Sequence, residues 1–312
     1  MAASRSEFKF DTTGDEVVSA FTNRVAGRIF LVTGPNPTGI GATTITSLAK
    51  AKPQALILAG RSTAKFQPIV DEVNRIDPSI KVVSVTLDLS SQASVRQAAK
   101  DILENADVPR IDTIINNAAV MACPLDYTAE GIELQFGTNH IGHFLLTNLL
   151  MPKLRASAEP VVVNLTSSGH RFYSSYDDVN WKTEKYDIWT AYGIAKVANI
   201  HFTKSLNERG IRAIAVHPGW VMSDLARHVD QSGLGTFLER AQATSDFDPL
   251  DFQKNLAQGC SSTLVAALDP AVSNGAYMRD CQVAVPAPFA NDASLPPKLW
   301  KLSNELVGEQ FA

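Results

Sequence analysis

The segment "AYGIAK" places a tyrosine and a lysine four residues apart, at Tyr192 and Lys196. On a helix such residues share a face, so the phenol and the ammonium would be neighbours. A free phenol has a pKa of about 10, and an ammonium beside it is expected to lower that pKa by favouring the phenolate. Tyr192 could then give a proton to a carbonyl oxygen or take one from an alcohol. Because this spacing is also common on ordinary helix surfaces, the pair needs supporting residues.

Two further polar side chains supply that support. Ser167 follows the apolar run "VVVNLT", and its hydroxyl could hold a substrate oxygen beside the phenol. Thr166 and Ser168 flank it, so either neighbour is an alternative for that hydroxyl. Asn139 lies inside a long helical pattern, where asparagine is mildly unfavourable. We interpret it as a water-holding link in a proton relay to Lys196.

A glycine-rich segment, "GPNPTGIG" at 34–41, lies between an apolar run and a helical pattern. Glycines let the backbone approach a phosphate, and a helix N-terminus attracts its negative charge. Pro35 and Pro37 lack the N–H groups on which such loops depend, so the amides of the later glycine turn must face the pyrophosphate. The residues predicted to contact the cofactor here are Gly34, Asn36, Thr38, Gly39, Ile40 and Gly41, with Asn36 and Thr38 near the adenosine phosphate.

The end of the second apolar run distinguishes the two nicotinamide dinucleotides. In parallel α/β folds the residue there reads the adenosine ribose: a carboxylate selects NAD, whereas an arginine selects the 2′-phosphate of NADP. Arg61 follows "ALILAG" directly, and no carboxylate occurs before Asp71. We therefore predict NADP(H) as the cofactor, with Arg61 on the 2′-phosphate. The alternative is an exposed arginine at a strand end.

Other strand ends complete the predicted cofactor site. Asp88, after the third run, could accept a hydrogen bond from the adenine amino group. The small residues of "NNAA" could pass close to a ribose, and the Pro218–Gly219 turn could wrap a nicotinamide carboxamide. The remaining predicted contacts are Leu89, Asn117, Ala118, Ala119, Val221 and Ser223, together with Tyr192 and Lys196.

The elements that must position these residues alternate along most of the chain. The predicted strands are 28–33, 55–59, 81–87, 112–116, 161–166, 212–217 and 276–285. The predicted helices are 40–51, 64–76, 92–105, 132–155, 189–209 and 252–267, with Ser90 or Ser91 capping the third and Thr128 the fourth. Near-continuously apolar strands are typical of a sheet covered on both faces. The pattern predicts an α/β fold with a doubly wound, mostly parallel seven-stranded sheet.

Three segments lie outside this alternation. Residues 1–25 are predicted to form an arm, 26–285 the single domain, and 286–312 a tail with a short helix. Residues 220–251 are too long for an ordinary connection and are predicted to form a lid over the substrate. The apolar residues of this lid are Leu225, Phe237, Leu238, Phe247 and Leu250, which either line an apolar substrate pocket or simply pack.

Composition argues against several classes of protein. The net charge of -4 and the pI near 5.9 provide no electrostatic reason to expect nucleic acid as a partner. No apolar run approaches the roughly 18 residues that span a bilayer, so we expect a soluble, cytoplasmic protein. The three cysteines form no CxxC pair, and the histidines at 140, 143, 170 and 217 lack metal-ligand spacing. We predict no metal and structural roles for these histidines.

Together the motifs are highly specific. In chain order they are TG…GIG (33–41), LDL (87–89), NNAA (116–119), Asn139, Ser167, YGIAK (192–196) and HPG (217–219). Over roughly residues 26–285 the sequence resembles the short-chain dehydrogenase/reductase family, and "NHIGHFLLTNLL" and "HPGWVMSDL" resemble its retinol-dehydrogenase-like branch, as seen in many fungal members. The resemblance implies a Rossmann-type fold, a catalytic tetrad of Asn139, Ser167, Tyr192 and Lys196, and a lysine that also holds the nicotinamide ribose. It further implies a homodimer contact through helices 132–155 and 189–209.

The sequence departs from the family pattern at three places. Its phosphate loop is one residue longer than the usual TG-x3-G-x-G, Ala119 replaces a usual glycine, and Ser223 stands where threonine commonly meets the carboxamide. None of these removes a reacting group. We therefore predict an NADP(H)-dependent oxidoreductase that exchanges hydride with a carbonyl or secondary alcohol of an apolar small molecule, with Tyr192 as acid and base. The alternatives are a cofactor-binding homologue that acts as a sensor or cyclase-like scaffold, and an enzyme that acts on a C=C bond or as an epimerase.

Overall fold

One sheet of eight strands forms the centre of the molecule. The computed structural model describes residues 3–221, 223–229, 231–243 and 253–312. The strands are β1 (Ile29–Thr33), β2 (Ala55–Gly60), β3 (Lys81–Thr86), β4 (Thr113–Asn116), β5 (Val161–Leu165), β6 (Arg212–His217), β7 (Tyr277–Arg279) and β8 (Gln282–Ala284). Their order is β3-β2-β1-β4-β5-β6-β7-β8, so the chain reverses direction across the sheet between β1 and β4. Ligands of open parallel sheets bind at this kind of switch point.

The predicted count of seven strands is wrong. The segment 276–285 is a hairpin rather than one strand, with β8 antiparallel to β7 while the other pairs are parallel. The chain turns at Asp280 and Cys281, whose φ angles are 51° and 62°. A tight hairpin turn with the twist of the strands requires left-handed backbone at both central residues. Neither residue is a glycine, so the sequence carried no clear turn signal there.

Helices cover both faces of the sheet, as predicted. They are α1 (Gly14–Ala20), α2 (Ile40–Ala49), α3 (Gln67–Ile76), α4 (Gln92–Glu104), α5 (Leu134–Phe136), α6 (Gly142–Leu149), α7 (Met151–Arg155), α8 (Ile188–Glu208), α9 (Gln231–Gln242), α10 (Leu256–Gly259), α11 (Ser261–Leu268) and α12 (Leu295–Val307). Alternate strand residues join different cores: Ile29 and Leu31 pack on one face of the sheet, and Phe30 and Val32 on the other. Within the described ranges, no helix is both long and apolar enough to cross a membrane.

The predicted helix 132–155 is interrupted twice. Between α5 and α6 the chain makes a π-helical turn over Gly137–Ile141, which contains Asn139. Between α6 and α7 the helix restarts at Met151–Pro152, because a proline has no N–H to continue the hydrogen-bond ladder. The predicted cap Thr128 instead lies in a turn, and Glu133 caps α5 by accepting from the Phe136 amide at 2.7 Å. Single π-turns inside helices often mark functional sites.

The caps of two long helices follow from local side chains. Ser91 accepts from the Ser94 amide at the start of α4, as predicted. Asp187 caps α8 by accepting from the Thr190 amide at 2.7 Å. Most of the 21 residues of α8 are buried, among them Tyr192 and Lys196. The helix therefore runs through the interior, and its two reactive side chains are held in place by packing on all sides.

The C-terminal helix α12 covers the helices that the family resemblance assigned to a dimer contact. Trp300 of α12 packs edge-on against Phe144 of α6, at 5.0 Å between ring centroids, and also contacts Phe202 of α8. Arg209, just after α8, lies 3.6 Å from the Trp300 ring centroid. A second copy of the chain could reach these faces of α6 and α8 only if α12 moved away. The homodimer stays a prediction, and this packing argues against that particular contact.

Candidate active site

A cavity of about 800 Å³ opens along the carboxyl edge of the sheet. It is lined by the residues that follow β1 to β6, namely Gly34, Arg61, Asp88, Asn117, Thr166 and Pro218. The predicted site residues that line it are Gly34, Asn36, Gly39, Ile40, Arg61, Asp88, Leu89, Asn117, Ala118, Ala119, Ser167, Tyr192, Lys196, Pro218, Gly219, Val221 and Ser223. The fold thus brings together motifs that are up to about 190 residues apart in the chain. Such a crevice has the place and the size expected of a dinucleotide and substrate site.

Three predicted site residues do not line the cavity. Gly41 lies inside α2, where an added Cβ would meet Nδ2 of Asn117 at 2.7 Å. Thr38 turns its hydroxyl to a carboxylate oxygen of Asp224 at 2.8 Å. Asn139 is fully buried behind the cavity wall. Gly41 therefore contributes close packing, and Thr38 and Asn139 bind the cavity-lining residues Asp224 and Val120.

Tyr192 and Ser167 meet at the centre of the cavity. The tyrosine is 2% exposed, and the Ser167 side chain is near enough to its hydroxyl to lower the pKa of the phenol. Gly169 makes this contact fit, because a Cβ there would lie 2.9 Å from the tyrosine ring. Of the neighbouring hydroxyls, that of Thr166 donates to the Lys196 carbonyl at 2.7 Å. The Thr166 hydroxyl is thus engaged elsewhere, and Ser167 is the neighbouring hydroxyl that lowers the pKa of the phenol.

Lys196 lies beside Tyr192, but the pKa of the phenol is raised rather than lowered. The lysine Nζ is 5.4 Å from the tyrosine ring centroid and donates to the Leu165 carbonyl at 3.3 Å. Burial raises the pKa of Tyr192 to about 12, while the Ser167 hydrogen bond opposes this rise. Burial also lowers the pKa of Lys196 to about 7. The lowering expected from the sequence is therefore wrong for this structure, since loss of water disfavours the charged form of both groups.

The side chain of Asn139 holds the loop after β4. Its Oδ1 accepts from the Val120 amide at 2.8 Å, and its Nδ2 donates to the Val120 carbonyl at 2.9 Å. The Asn139 carbonyl accepts from Nδ1 of His143 at 3.1 Å. Both ends of the amide are thus paired with one residue of the cavity wall. The role of Asn139 in a water-mediated relay to Lys196 stays a prediction.

The phosphate loop accommodates its extra residue in two successive turns. The Asn36 amide donates to the Gly34 carbonyl at 2.8 Å, and the Gly39 amide donates to the Asn36 carbonyl at 2.9 Å. Gly34 has a φ of 64°, and a Cβ there would meet Ala118 at 2.7 Å, so only glycine fits. Helix α2 begins after Gly39 with no side-chain cap. Its first amides therefore suit a phosphate group, which is the donor set that a dinucleotide needs.

The adenosine end of the cavity carries two cations. Arg61 and Lys65 both line it, with Ser62 between them. Lys65 was missed from the sequence, although its position four residues after Arg61 in "RSTAK" was a usable signal. Asp88 is held by the Ser90 amide and hydroxyl, at 3.0 and 2.6 Å from its Oδ1. The chain therefore offers two positive side chains at this end of the cavity.

The turn at the nicotinamide end rests on a buried lysine. Gly219 has a φ of 92°, and a Cβ there would meet Cδ of Lys254 at 2.8 Å. Lys254 is 1% exposed, and its Nζ pairs with a carboxylate oxygen of Asp280 at 2.7 Å. Its backbone also bridges to Val221. Lys254 was missed because nothing in the sequence links it to a turn 35 residues earlier.

The described part of the lid closes the other end of the cavity. Phe237 of α9 packs against Phe172, Trp189 and Trp220, with ring centroids 5.5, 5.0 and 5.6 Å away. Arg240 forms two contacts of 2.7 and 2.6 Å with the Asp187 carboxylate that caps α8. Of the predicted lid residues, Leu225 and Phe237 line the cavity and Leu238 does not. Phe247 and Leu250 lie outside the described residues.

Asp224 joins the lid to the phosphate loop. Its carboxylate accepts from Nδ2 of Asn36 at 2.6 Å and from the Thr38 hydroxyl at 2.8 Å. These hydrogen bonds lower the pKa of Asp224, so the carboxylate is charged at neutral pH. The two side chains predicted to approach an adenosine phosphate are therefore already paired with an anion in this structure. Sequence spacing could not show this contact across 186 residues.

The histidines near the site are neutral and buried. Burial lowers the pKa of His143 and His170 to about 4, and that of His140 to about 3. His170 joins the Ser167 carbonyl at 2.6 Å to the Ala287 amide at 3.0 Å. Over the described ranges, no group of three or more His, Cys, Asp or Glu side chains is arranged to hold a metal ion.

An open, mostly parallel sheet with a dinucleotide-sized cleft at its switch point defines a Rossmann-type dinucleotide-binding protein. The family model described as short chain dehydrogenase matches residues 28–233. The chain belongs to the short-chain dehydrogenase/reductase family.

Relatives place it in the retinol-dehydrogenase-like branch of that family. Retinol dehydrogenase 13 of Homo sapiens is 38% identical over 293 residues, which cover 91% of this chain and 86% of that protein. Short-chain dehydrogenase TIC 32 A, chloroplastic, of Brassica napus is 37% identical over 269 residues, 81% of this chain and 80% of that protein. Among solved structures, an uncharacterized protein from Mycobacterium paratuberculosis has a TM-score of 0.70 and 30% identity, covering 92% of this chain and 96% of that one. NADPH-bound carbonyl reductase from chicken fatty liver shares the fold, with a TM-score of 0.60, 22% identity, and 84% and 99% coverage.

Proposed function

We propose that this protein is an NADP(H)-dependent oxidoreductase that interconverts an apolar carbonyl compound and its alcohol. One observation carries the proposal: the Ser167–Tyr192–Lys196 cluster and the Arg61–Lys65 pair line the same cavity. A site for proton exchange and a site for a phosphorylated ribose therefore lie on one ligand-sized surface. Family membership supports the reaction class, and the residue roles are our assignment.

The proton chemistry follows from the burial of Tyr192. With a pKa of about 12, its phenol keeps its proton at neutral pH and can donate it to a carbonyl oxygen. Ser167 holds that oxygen beside the phenol through a second hydrogen bond. Lys196, whose pKa burial lowers to about 7, supplies the nearest positive charge as negative charge develops on the tyrosine. When bound, the nicotinamide cofactor supplies or accepts the hydride.

The preference for NADP over NAD is assigned to the adenosine end. Arg61 and Lys65 supply two positive charges, and the segment from Arg61 to Gln67 contains no carboxylate. An arginine pairs with a phosphate through two parallel N–H donors, whereas it has no matching partner on a 2′-hydroxyl. The solved relatives that bind NADPH share only the fold, so the preference rests on these two side chains.

The substrate class is assigned to the lid end. The cavity wall there consists of apolar and aromatic side chains, namely Val120, Met121, Leu134, Trp189, Leu225 and Phe237. Such a wall favours a substrate that buries hydrocarbon and presents one oxygen. The names of the relatives include retinol dehydrogenases, and retinol is an alcohol of this kind. Retinal and retinol are therefore the first substrates to test.

Cofactor oxidation by the purified chain tests the proposal. NADPH and NADH consumption is measured with retinal, with apolar ketones and aldehydes, and with a small polar aldehyde as control. We expect turnover with NADPH and an apolar carbonyl, and a lower kcat/KM with NADH or the polar aldehyde. NADPH binding without turnover on any substrate would contradict the proposal and favour the sensor or scaffold alternative.

A further inference from the structure

His143 is a buried residue outside the proposed tetrad, and its ring contacts both Asn139 and Thr33. It lies in α6, one residue past its start and four residues after Asn139, and is 1% exposed. Its Nδ1 is 3.1 Å from the Asn139 carbonyl oxygen, and its Nε2 is 2.8 Å from the Thr33 hydroxyl. The ring therefore connects the π-turn of Asn139 with the end of β1.

The partners of the ring determine where each proton lies. A carbonyl oxygen only accepts, so Nδ1 carries the proton and donates to Asn139. In the neutral ring Nε2 then accepts, so the Thr33 hydroxyl must donate to it. The lone pairs of that hydroxyl are left to accept from the Asn117 and Ala118 amides, each at 3.0 Å. With these directions, both ring nitrogens of His143 and the hydroxyl of Thr33 have hydrogen-bond partners.

Both ends of this hydrogen-bond network reach residues of the cavity wall. Asn117 and Ala118 line the cavity directly. Asn139 reaches it through Val120, the wall residue whose amide and carbonyl it binds. The His143 imidazole thus supports two neighbouring parts of the loop after β4: Asn117 and Ala118 through Thr33, and Val120 through Asn139.

We propose that His143 is a positioning residue for the reaction: it orients the carbonyl of Asn139 and the hydroxyl of Thr33, and so couples the loop that passes the cofactor to the catalytic tetrad. The inference rests on the proposed function, because it assigns a role within the same site. It goes beyond that function by adding a residue that contacts neither the cofactor nor the substrate. Loss of the ring would release the carbonyl and the hydroxyl together.

His140, in the π-turn that precedes α6, provides a matched control. It is equally buried, but its Nε2 contacts Ser303 of α12 at 2.8 Å and its ring packs among Phe136, Phe144 and Phe202. None of these four partners lines the cavity. A purely structural role for both buried imidazoles predicts similar consequences for His140→Leu and His143→Leu.

The first test separates positioning from folding. We expect His143→Leu to lower kcat about 10- to 100-fold and to weaken NADPH binding about three- to tenfold, because the Thr33 hydroxyl that binds the Asn117 and Ala118 amides loses its acceptor. His143→Asn should restore kcat to within about threefold of wild type, because an asparagine can donate to the carbonyl four residues back, as Asn148 does to Phe144 at 2.8 Å. His140→Leu should lower the melting temperature as much as His143→Leu and leave kcat within about twofold.

The second test measures the energetic coupling between Thr33 and His143 in this hydrogen-bond network. Thr33→Val removes the hydroxyl that binds the Asn117 and Ala118 amides, and NADPH affinity is read by fluorescence titration, which needs no turnover. For Thr33→Val with His143→Leu, we expect the loss of NADPH affinity to be smaller than the product of the two single losses, because the second change acts on a network already broken.

Any of the following results would overturn the inference. One is equal kcat loss in His140→Leu and His143→Leu, another is no rescue by His143→Asn, and the third is an affinity loss in the double variant that equals the product of the single losses. Turnover by wild type with unchanged turnover by His143→Leu contradicts this inference alone. Absence of turnover by wild type contradicts the proposed function, and the affinity coupling then decides whether the network exists.

Discussion

The two ends of the cavity are built in different ways. At the tetrad end, Tyr192, Lys196 and Asn139 are buried, Asn139 binds the loop after β4, and Lys196 donates to the Leu165 carbonyl at the end of β5. At the lid end, Phe237 is partly exposed and is held by ring contacts, and one ion pair joins Arg240 to Asp187. Burial and hydrogen bonds hold the tetrad side chains in one geometry, whereas ring contacts at the lid end let the aromatic side chains shift around different ligands.

This difference separates reaction from recognition. Proton transfer requires heavy atoms within hydrogen-bond distance, and a buried, hydrogen-bonded side chain meets that requirement in each turnover. An apolar ligand is held by contact area, which is not directional. Changes at the tetrad end should therefore alter kcat strongly and for every substrate. Changes at the lid end should alter KM moderately and differently for each substrate.

The largest expected effect comes from removing the phenolic oxygen. Tyr192→Phe should lower kcat by roughly a thousandfold, since positioned proton transfer contributes about 10²–10⁴ in rate. NADPH affinity should change little, because the ring and its packing are kept. Turnover at the wild-type rate would disprove the assignment of Tyr192. Circular dichroism and NADPH titration serve as controls for folding and for cofactor binding.

The next effect concerns the cofactor. Arg61→Ala should raise the KM for NADPH by about 10- to 100-fold, since a hydrogen bond to a charged group contributes about 1.5–3 kcal/mol. The KM for NADH should stay within about twofold. Lys65→Ala is the companion variant and should show a smaller shift in the same direction, because an ammonium pairs less specifically with phosphate. Equal shifts for NADPH and NADH would contradict the 2′-phosphate assignment.

A smaller effect is expected at the lid. Phe237→Ala should raise the KM for a long apolar substrate about tenfold, with kcat changed less than about threefold, because burial of an aromatic ring contributes about 1.5–3 kcal/mol at most. A short substrate should be affected less. Leu238→Ala, its neighbour that does not line the cavity, should leave KM unchanged. A large kcat loss for Phe237→Ala would show that the lid takes part in the reaction and would weaken the comparison.

The last prediction concerns the stability of the fold and its dependence on pH. Burial holds the pKa of His140, His143, His170 and His201 at about 3 to 4 in the folded chain, against about 6.5 when unfolded. Below pH 6.5 the unfolded chain therefore binds more protons, so stability is full above that pH and is lost as pH falls towards 4. Glu133, whose pKa burial raises, opposes this loss.

Urea unfolding at pH 7, 6 and 5 measures this dependence. We expect the free energy of unfolding to decrease by up to about 1.4 kcal/mol per histidine and pH unit. His140→Leu should make the decrease shallower by one histidine, although the variant is less stable at pH 7. A free energy of unfolding that is flat from pH 7 to 5 would contradict neutral, buried imidazoles at these positions.

Much of the architecture was predictable from local patterns. Six of the seven predicted strands appear within about two residues of their predicted bounds, because buried parallel strands are continuous apolar runs. The hairpin after β7 was missed, since its turn uses left-handed residues that are not glycine. The π-turn within helix 132–155 was missed too, since its Asn139 binds Val120 in the loop after β4, a contact that helical periodicity does not record.

The sequence by itself determined the reacting groups and their order along the chain, since the spacing of Tyr192 and Lys196 and the residues at strand ends follow from local structure. Only the tertiary structure determined how deeply these groups are buried and which distant residues bind them. Burial raised the pKa of Tyr192 against the expectation from its neighbour Lys196, and long-range contacts gave Asp224 to the phosphate loop and His143 to Asn139. Desolvation and pairing across distant segments depend on where the whole chain packs, and no local pattern records them.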